Sequence, residues 1–126
     1  MAVHQSLKEI LHMDSMPLQL DIVTTEDIST VTPIGDIDMS KSTELRSALR
    51  PVIEATPKTI IIDLSHVPYM DSSGIATLIE GLQLSKQANI SFVLCSLSDG
   101  VKSIVELARL DKIFSIFDSK EHALEH

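Results

Sequence analysis

One cysteine, Cys95, stands in this chain of 126 residues. A lone cysteine cannot form an internal disulfide, and it fits a reducing compartment, read here as the cytoplasm. Tryptophan is absent and aromatic residues make up 3% of the chain, so the core must be built from Ile, Leu and Val. No apolar run approaches the ~20 residues that a membrane-spanning helix needs. The start does not read as a signal peptide, because Met1–Asp14 carries His4, Lys8, Glu9 and His12. Basic residues are also scarce: 10 Lys and Arg stand against 18 Asp and Glu, for a net charge of −8. Nucleic-acid binding needs clustered cations to neutralise phosphates, and these are scattered. An acidic surface also repels anionic lipid. Proteins or small molecules remain as partners, with no direct nucleic acid and no membrane.

What is present is one domain's worth of chain with an ordinary apolar share of 44%. There are no internal repeats and no low-complexity segments. Val3, Leu7, Ile10 and Leu11 recur at helical spacing and predict a short amphipathic helix over 3–12, ended by Pro17. Leu18–Thr24 alternates as a strand. Glu26-Asp27 is a turn, and Ile28–Ile34 is a second strand antiparallel to the first. Gly35-Asp36-Ile37-Asp38 follows as a loop, with Gly35 expected at positive φ. Ser40 or Ser42 is the expected cap of a helix carrying Leu45, Leu49, Val52 and Ile53. Pro51 lies inside that pattern, so the helix is expected to kink there or to be two pieces.

Thr59–Leu64 is a continuous apolar run bounded by Pro57 and Ser65, which reads as a central strand buried on both faces. Ile75, Leu78, Ile79 and Leu82 give a helical stripe over about Ser73–Gln87. Ser91–Ser96 is the next buried strand. Val101, Ile104, Val105 and Ala108 mark a helix opened by Ser98 or Asp99. Phe114, Ile116 and Phe117 suggest a short edge strand, and Ser119 begins a last helical turn. Leu124-Glu125-His126 reads as the start of a purification tag. A strand pair followed by alternating helices and strands is an α/β domain with a mixed sheet. In such sheets function gathers outside the carboxyl ends of the strands, so the loops at 35–38, 65–73 and 96–100 should converge on one edge.

The stretch Tyr69-Met70-Asp71-Ser72-Ser73-Gly74 lies at a junction from strand through loop to helix N-terminus. Two hydroxyls fall where a phosphate can bind or be formed, because free N–H groups and the helix dipole favour negative charge there. On the residues alone, Ser72 or Ser73 is first a helix cap, with Asp71 favouring the dipole. Gly74 permits close packing at some cost in helix propensity. A serine hydrolase would place a glycine two residues before its nucleophile, and Met70 stands there instead. Only His66 of the five histidines lies near the serines, and no spacing resembles a zinc site. Cys95, in a core strand, reads as a small buried apolar residue rather than a reactive thiol.

Gly35-Asp36-Ile37-Asp38, the run Ile60–Leu64, and Met70-Asp71-Ser72-Ser73-Gly74-Ile75 together resemble the STAS domain of bacterial anti-sigma factor antagonists. The resemblance covers Leu18 to Ala123. It divides the chain into an N-terminal extension at 1–17, a STAS domain at 18–123 and a tag remnant at 124–126. It implies a mixed β-sheet of four to five strands with helices packed mainly on one face. It also implies a regulatory module rather than an enzyme, with no cofactor and no metal. Such antagonists bind an anti-sigma factor that is also a serine kinase, and phosphorylation of the antagonist breaks the complex. By this resemblance Ser72 is the phosphoacceptor. Gly35, Asp36, Asp38, Asp71, Ser73 and Gly74 surround it, and Asp71 helps present the hydroxyl. The implied partners are the anti-sigma factor kinase and a PP2C-type phosphatase, with the chain a monomer or weak dimer. The alternative within the same fold is an accessory subunit of a transport system or a nucleotide-responsive module. Phosphate at the helix end is expected to leave the fold intact or slightly stabilised, and to act on the partner.

Overall fold

The computed structural model describes residues 17–126. The amphipathic helix expected over 3–12 lies outside them. Two strands open the described chain: β1 (Gln19–Thr25) and β2 (Ile28–Ile34). They pair antiparallel from Thr25↔Ile28 out to Gln19↔Ile34. Glu26 takes the left-handed conformation, φ 56°, that the tight reversal needs. Strands β3 (Thr59–Asp63), β4 (Ser91–Cys95) and β5 (Ser115–Phe117) then add in order. Each pairs parallel with the strand before it. Helices α1 (Met39–Glu54), α2 (Ser72–Gln87) and α3 (Asp99–Leu107) fill the crossovers, and α4 (Lys120–Glu125) ends the chain. This is the mixed five-stranded α/β sheet that the alternating pattern predicts.

Strand periodicity divides the core in two. Val31, Ile60, Ile62, Phe92 and Leu94 point to one face, where they meet Leu45 and Leu49 of α1, Leu78 and Leu82 of α2, and Val101 and Val105 of α3. Ile61, Val93 and Cys95 point to the other face, where Ala123 of α4 covers them. Ile60, Ile61 and Ile62 are therefore all fully buried, as a central strand requires. Each such side chain stabilises the fold by roughly 2 kcal/mol. Among the described residues, helices lie mainly on one face, with the short α4 on the other.

Two open local expectations are settled. Helix α1 runs through Pro51 as one element rather than two. The proline sits in the last turn, where the missing N–H removes a single bond to the Ser47 carbonyl. The Pro51 carbonyl still accepts from Ala55 N–H at 3.1 Å. At α3 the open choice of cap falls on Ser98, whose hydroxyl accepts from Val101 N–H at 3.3 Å.

Candidate functional site

Because β2, β3 and β4 are parallel, their carboxyl ends lie along one edge of the sheet, and the loops leaving them meet there. Gly35 turns the chain off β2 with φ +102°, a conformation that favours glycine. The two loops are then laced together by main-chain bonds. Gly35 N–H donates to the His66 carbonyl at 2.9 Å, and Ile37 N–H to the Tyr69 carbonyl at 3.0 Å. Asp71 N–H returns to the Ile37 carbonyl at 3.2 Å. Ile37 and Met70 form an isolated parallel bridge, and both side chains are fully buried. This short extension of the sheet brings the starts of α1 and α2 side by side.

Aspartates, not serines, cap both helices. Asp38 is the N-cap of α1, and its carboxylate accepts from Ser40 N–H at 2.9 Å and from the Ser40 hydroxyl at 2.6 Å. Asp71 is the N-cap of α2. Its Oδ1 accepts from Ser73 N–H at 2.9 Å, the Ser73 hydroxyl at 2.5 Å and Gly74 N–H at 3.3 Å. The expectation of Ser40 or Ser42, and of Ser72 or Ser73, as caps is therefore corrected. A carboxylate one residue outside the helix accepts several donors at once. The Ser40 and Ser73 hydroxyls are left as donors to it. Asp71 does more than cap, since its Oδ2 accepts Met39 N–H at 3.1 Å. One carboxylate thus ties the first residue of α1 to the start of α2.

The electrostatics follow from these donors. The Ser73 hydroxyl, helped by the Gly74, Ser73 and Met39 N–H groups, holds the Asp71 carboxyl below its ordinary value. The Ser40 hydroxyl does the same for Asp38, opposed in part by the nearby charge of Asp71. Both are ionised at neutral pH. Burial pushes the Cys95 thiol up to about 11, so it is not a nucleophile at neutral pH.

Ser72 differs from its neighbours. It is the first residue of α2, exposed, and its hydroxyl makes no hydrogen bond to any described residue. Ser73 is committed to Asp71. Gly74 is buried, and a Cβ there would collide with Met70 Cγ and press on Ile37. Asp36 is exposed beside the lacing. Two large side chains at the ends of these loops are exposed: Met39 at 76% and Tyr69 at 49% accessibility. The sequence-predicted residues Gly35, Asp36, Asp38, Asp71, Ser72, Ser73 and Gly74 are therefore brought to one edge. Met39 was not singled out by the sequence, and Tyr69 and the bridging Ile37 entered only as members of their motifs. An exposed Met in a first helical turn carries no local signal of its contacts.

The occupied cap changes what a phosphate on Ser72 would meet. The Ser73 and Gly74 N–H groups expected to receive it already bond to Asp71. A phosphate there would lie next to a carboxylate rather than in an empty anion site.

The STAS domain family model matches residues 19–123. The anti-sigma F factor antagonist of Paenibacillus polymyxa is 24% identical over 110 residues, covering 86% of this chain and 94% of that protein. The anti-sigma-B factor antagonist of Staphylococcus aureus is 24% identical over 106 residues, covering 84% and 98%. Among solved structures, an anti-sigma factor antagonist from Mycobacterium paratuberculosis superposes with a TM-score of 0.80 at 24% identity, covering 86% and 92%. With a family model spanning nearly all of the described chain, this protein belongs to the STAS domain family.

Proposed function

We propose that this protein is a cytoplasmic anti-sigma factor antagonist that binds an anti-sigma factor with serine kinase activity and is switched off by phosphorylation at Ser72. The observation that carries this reading is the state of the Ser72 hydroxyl. It is exposed, unengaged by any described residue, and held at a fixed helix start between two committed neighbours. The names of its curated relatives support the partner class. No helix among the described residues is long and apolar enough to cross a membrane.

The chemistry assigns the work of the transfer. Ser72 Oγ attacks the γ-phosphorus of ATP, its proton leaves, and ADP departs. Asp71 is a poor base for that proton, because three donors hold Oδ1 and its carboxyl titrates below the usual range. The base therefore comes from the kinase, and Asp71 positions the backbone that carries the acceptor. A phosphoserine adds a charge of roughly −1.5 to −2. Buried unpaired at a protein interface, such a charge costs several kcal/mol. About 4 kcal/mol weakens a complex ~1,000-fold. A PP2C-type phosphatase would reset the switch.

The test is incubation with purified anti-sigma factor kinases and ATP, read by intact mass. The wild-type chain gains one phosphate and Ser72→Ala gains none. Equal phosphorylation of Ser72→Ala would sink the assignment.

A further inference from the structure

The loop that carries Ser72 to its helix is held on two sides. One side is the lacing to the β2–α1 loop already described. On the other side stands the start of α3. The Ser98 hydroxyl donates to the Val67 carbonyl at 2.6 Å while accepting Val101 N–H at 3.3 Å. Two residues on, a Cβ at Gly100 would stand 2.5 Å from the Pro68 carbonyl oxygen. Gly100 lies in the first turn of an ordinary helix, where alanine is intrinsically favoured. Helix formation alone thus gives no reason for a glycine here, whereas the close approach of Pro68 does.

We propose that Ser98 and Gly100 are positioning residues for Ser72: the start of α3 sets the height of the Val67–Met70 segment, and so the presentation of the acceptor hydroxyl. The physical route is short. Val67 and Pro68 lead directly into Tyr69, whose carbonyl bonds to Ile37, and into Asp71, which caps α2. A shift of the Pro68 carbonyl is carried along three residues of extended chain into Asp71. Phosphoryl transfer is sensitive to such a shift, because misplacement by about 1 Å costs up to 100-fold in rate. The inference rests on Ser72 being the acceptor.

Two substitutions separate positioning from simple capping. Ser98→Asp keeps an acceptor of equal quality for α3 but has no proton to give Val67. Gly100→Ala favours the helix but displaces Pro68. If Ser98 only caps and Gly100 is only small, both variants keep wild-type behaviour. Positioning predicts otherwise. The amide signals of Tyr69 and of Asp71 through Gly74 move or exchange faster in both variants, and the melting temperature falls while the fold is retained, because the Val67 and Pro68 carbonyls must give way. With a kinase that phosphorylates the wild type, kcat/KM falls about ten-fold in both, whereas Ser98→Thr, which keeps the hydroxyl, retains the wild-type value. Unchanged amide signals at 69–74 overturn the inference without reference to any kinase. A wild-type chain that no kinase phosphorylates overturns the acceptor reading instead, so the two failures are distinct.

Discussion

Asp71 is the residue on which the site turns. Its carboxylate joins three donors of α2 to the first N–H of α1, so its charge state matters to both helices. The Ser73 hydroxyl and the surrounding N–H groups lower its pKa, as the Ser40 hydroxyl lowers that of Asp38. A carboxyl depressed in the folded state contributes stability that is present above its unfolded value, ~3.9. That contribution is lost as pH falls through the depressed folded value. The melting temperature should therefore drop on acidification below about pH 4. Asp71→Asn, still a competent cap, should show a shallower drop between pH 5 and pH 2.5 than the wild type. At pH 7, Asp71→Ala should cost about 1–2 kcal/mol from the lost cap alone, measured by urea unfolding. An acid limb identical in Asp71→Asn would show that the carboxylate is not coupled to folding.

At the scale of elements, α1 contains a testable defect. Pro51 removes one bond of the helical ladder but leaves the helix continuous. Replacing an interior proline by alanine recovers up to ~3 kcal/mol of helix propensity. It also frees the unfolded chain by up to ~1 kcal/mol. Pro51 is exposed, so no core contact opposes the change. Pro51→Ala should stabilise the protein by about 1–2 kcal/mol in a denaturant titration, and a loss of stability would mean that Pro51 sets the exit of α1 toward β3. Most elements were legible in the chain for the same kind of local reason. β2 occupies the predicted Ile28–Ile34, and the buried run at Thr59 becomes β3 within one residue. The caps of α1 and α2 were not legible, although those of α3 and α4 were. Serine and aspartate both signal a helix start, and only the backbone shows which one stands outside the first turn. Nor was the bond from Met39 to Asp71, whose partners lie 32 residues apart and meet only after β2 and β3 pair.

At the scale of the molecule, the switch and the fold are separable. The core that holds the sheet lies beneath Ile37 and Met70, whereas Ser72 stands outside it on an acidic chain of net charge −8. Phosphorylation takes that charge to about −10. The new charge sits beside Asp71, whose capping bonds already use the N–H groups that might have received it. The fold therefore gains nothing from the phosphate and bears a repulsion screened by water, worth no more than ~1 kcal/mol at an exposed site. The melting temperature of the phosphorylated protein should fall by no more than roughly 5 °C. That difference should shrink between 0.05 and 0.5 M salt, where the screening length contracts from about 14 Å to about 4 Å. On the proposed function, the partner would meet the same charge in a desolvated contact. Affinity for the anti-sigma factor should drop ~1,000-fold by isothermal titration, and salt should restore little of it. Ser72→Asp, with half the charge, should fall between the two states. Phosphorylation that melts the domain, or a binding loss that high salt fully reverses, would mean that the switch works through the fold or through long-range repulsion rather than through a buried charge at the contact.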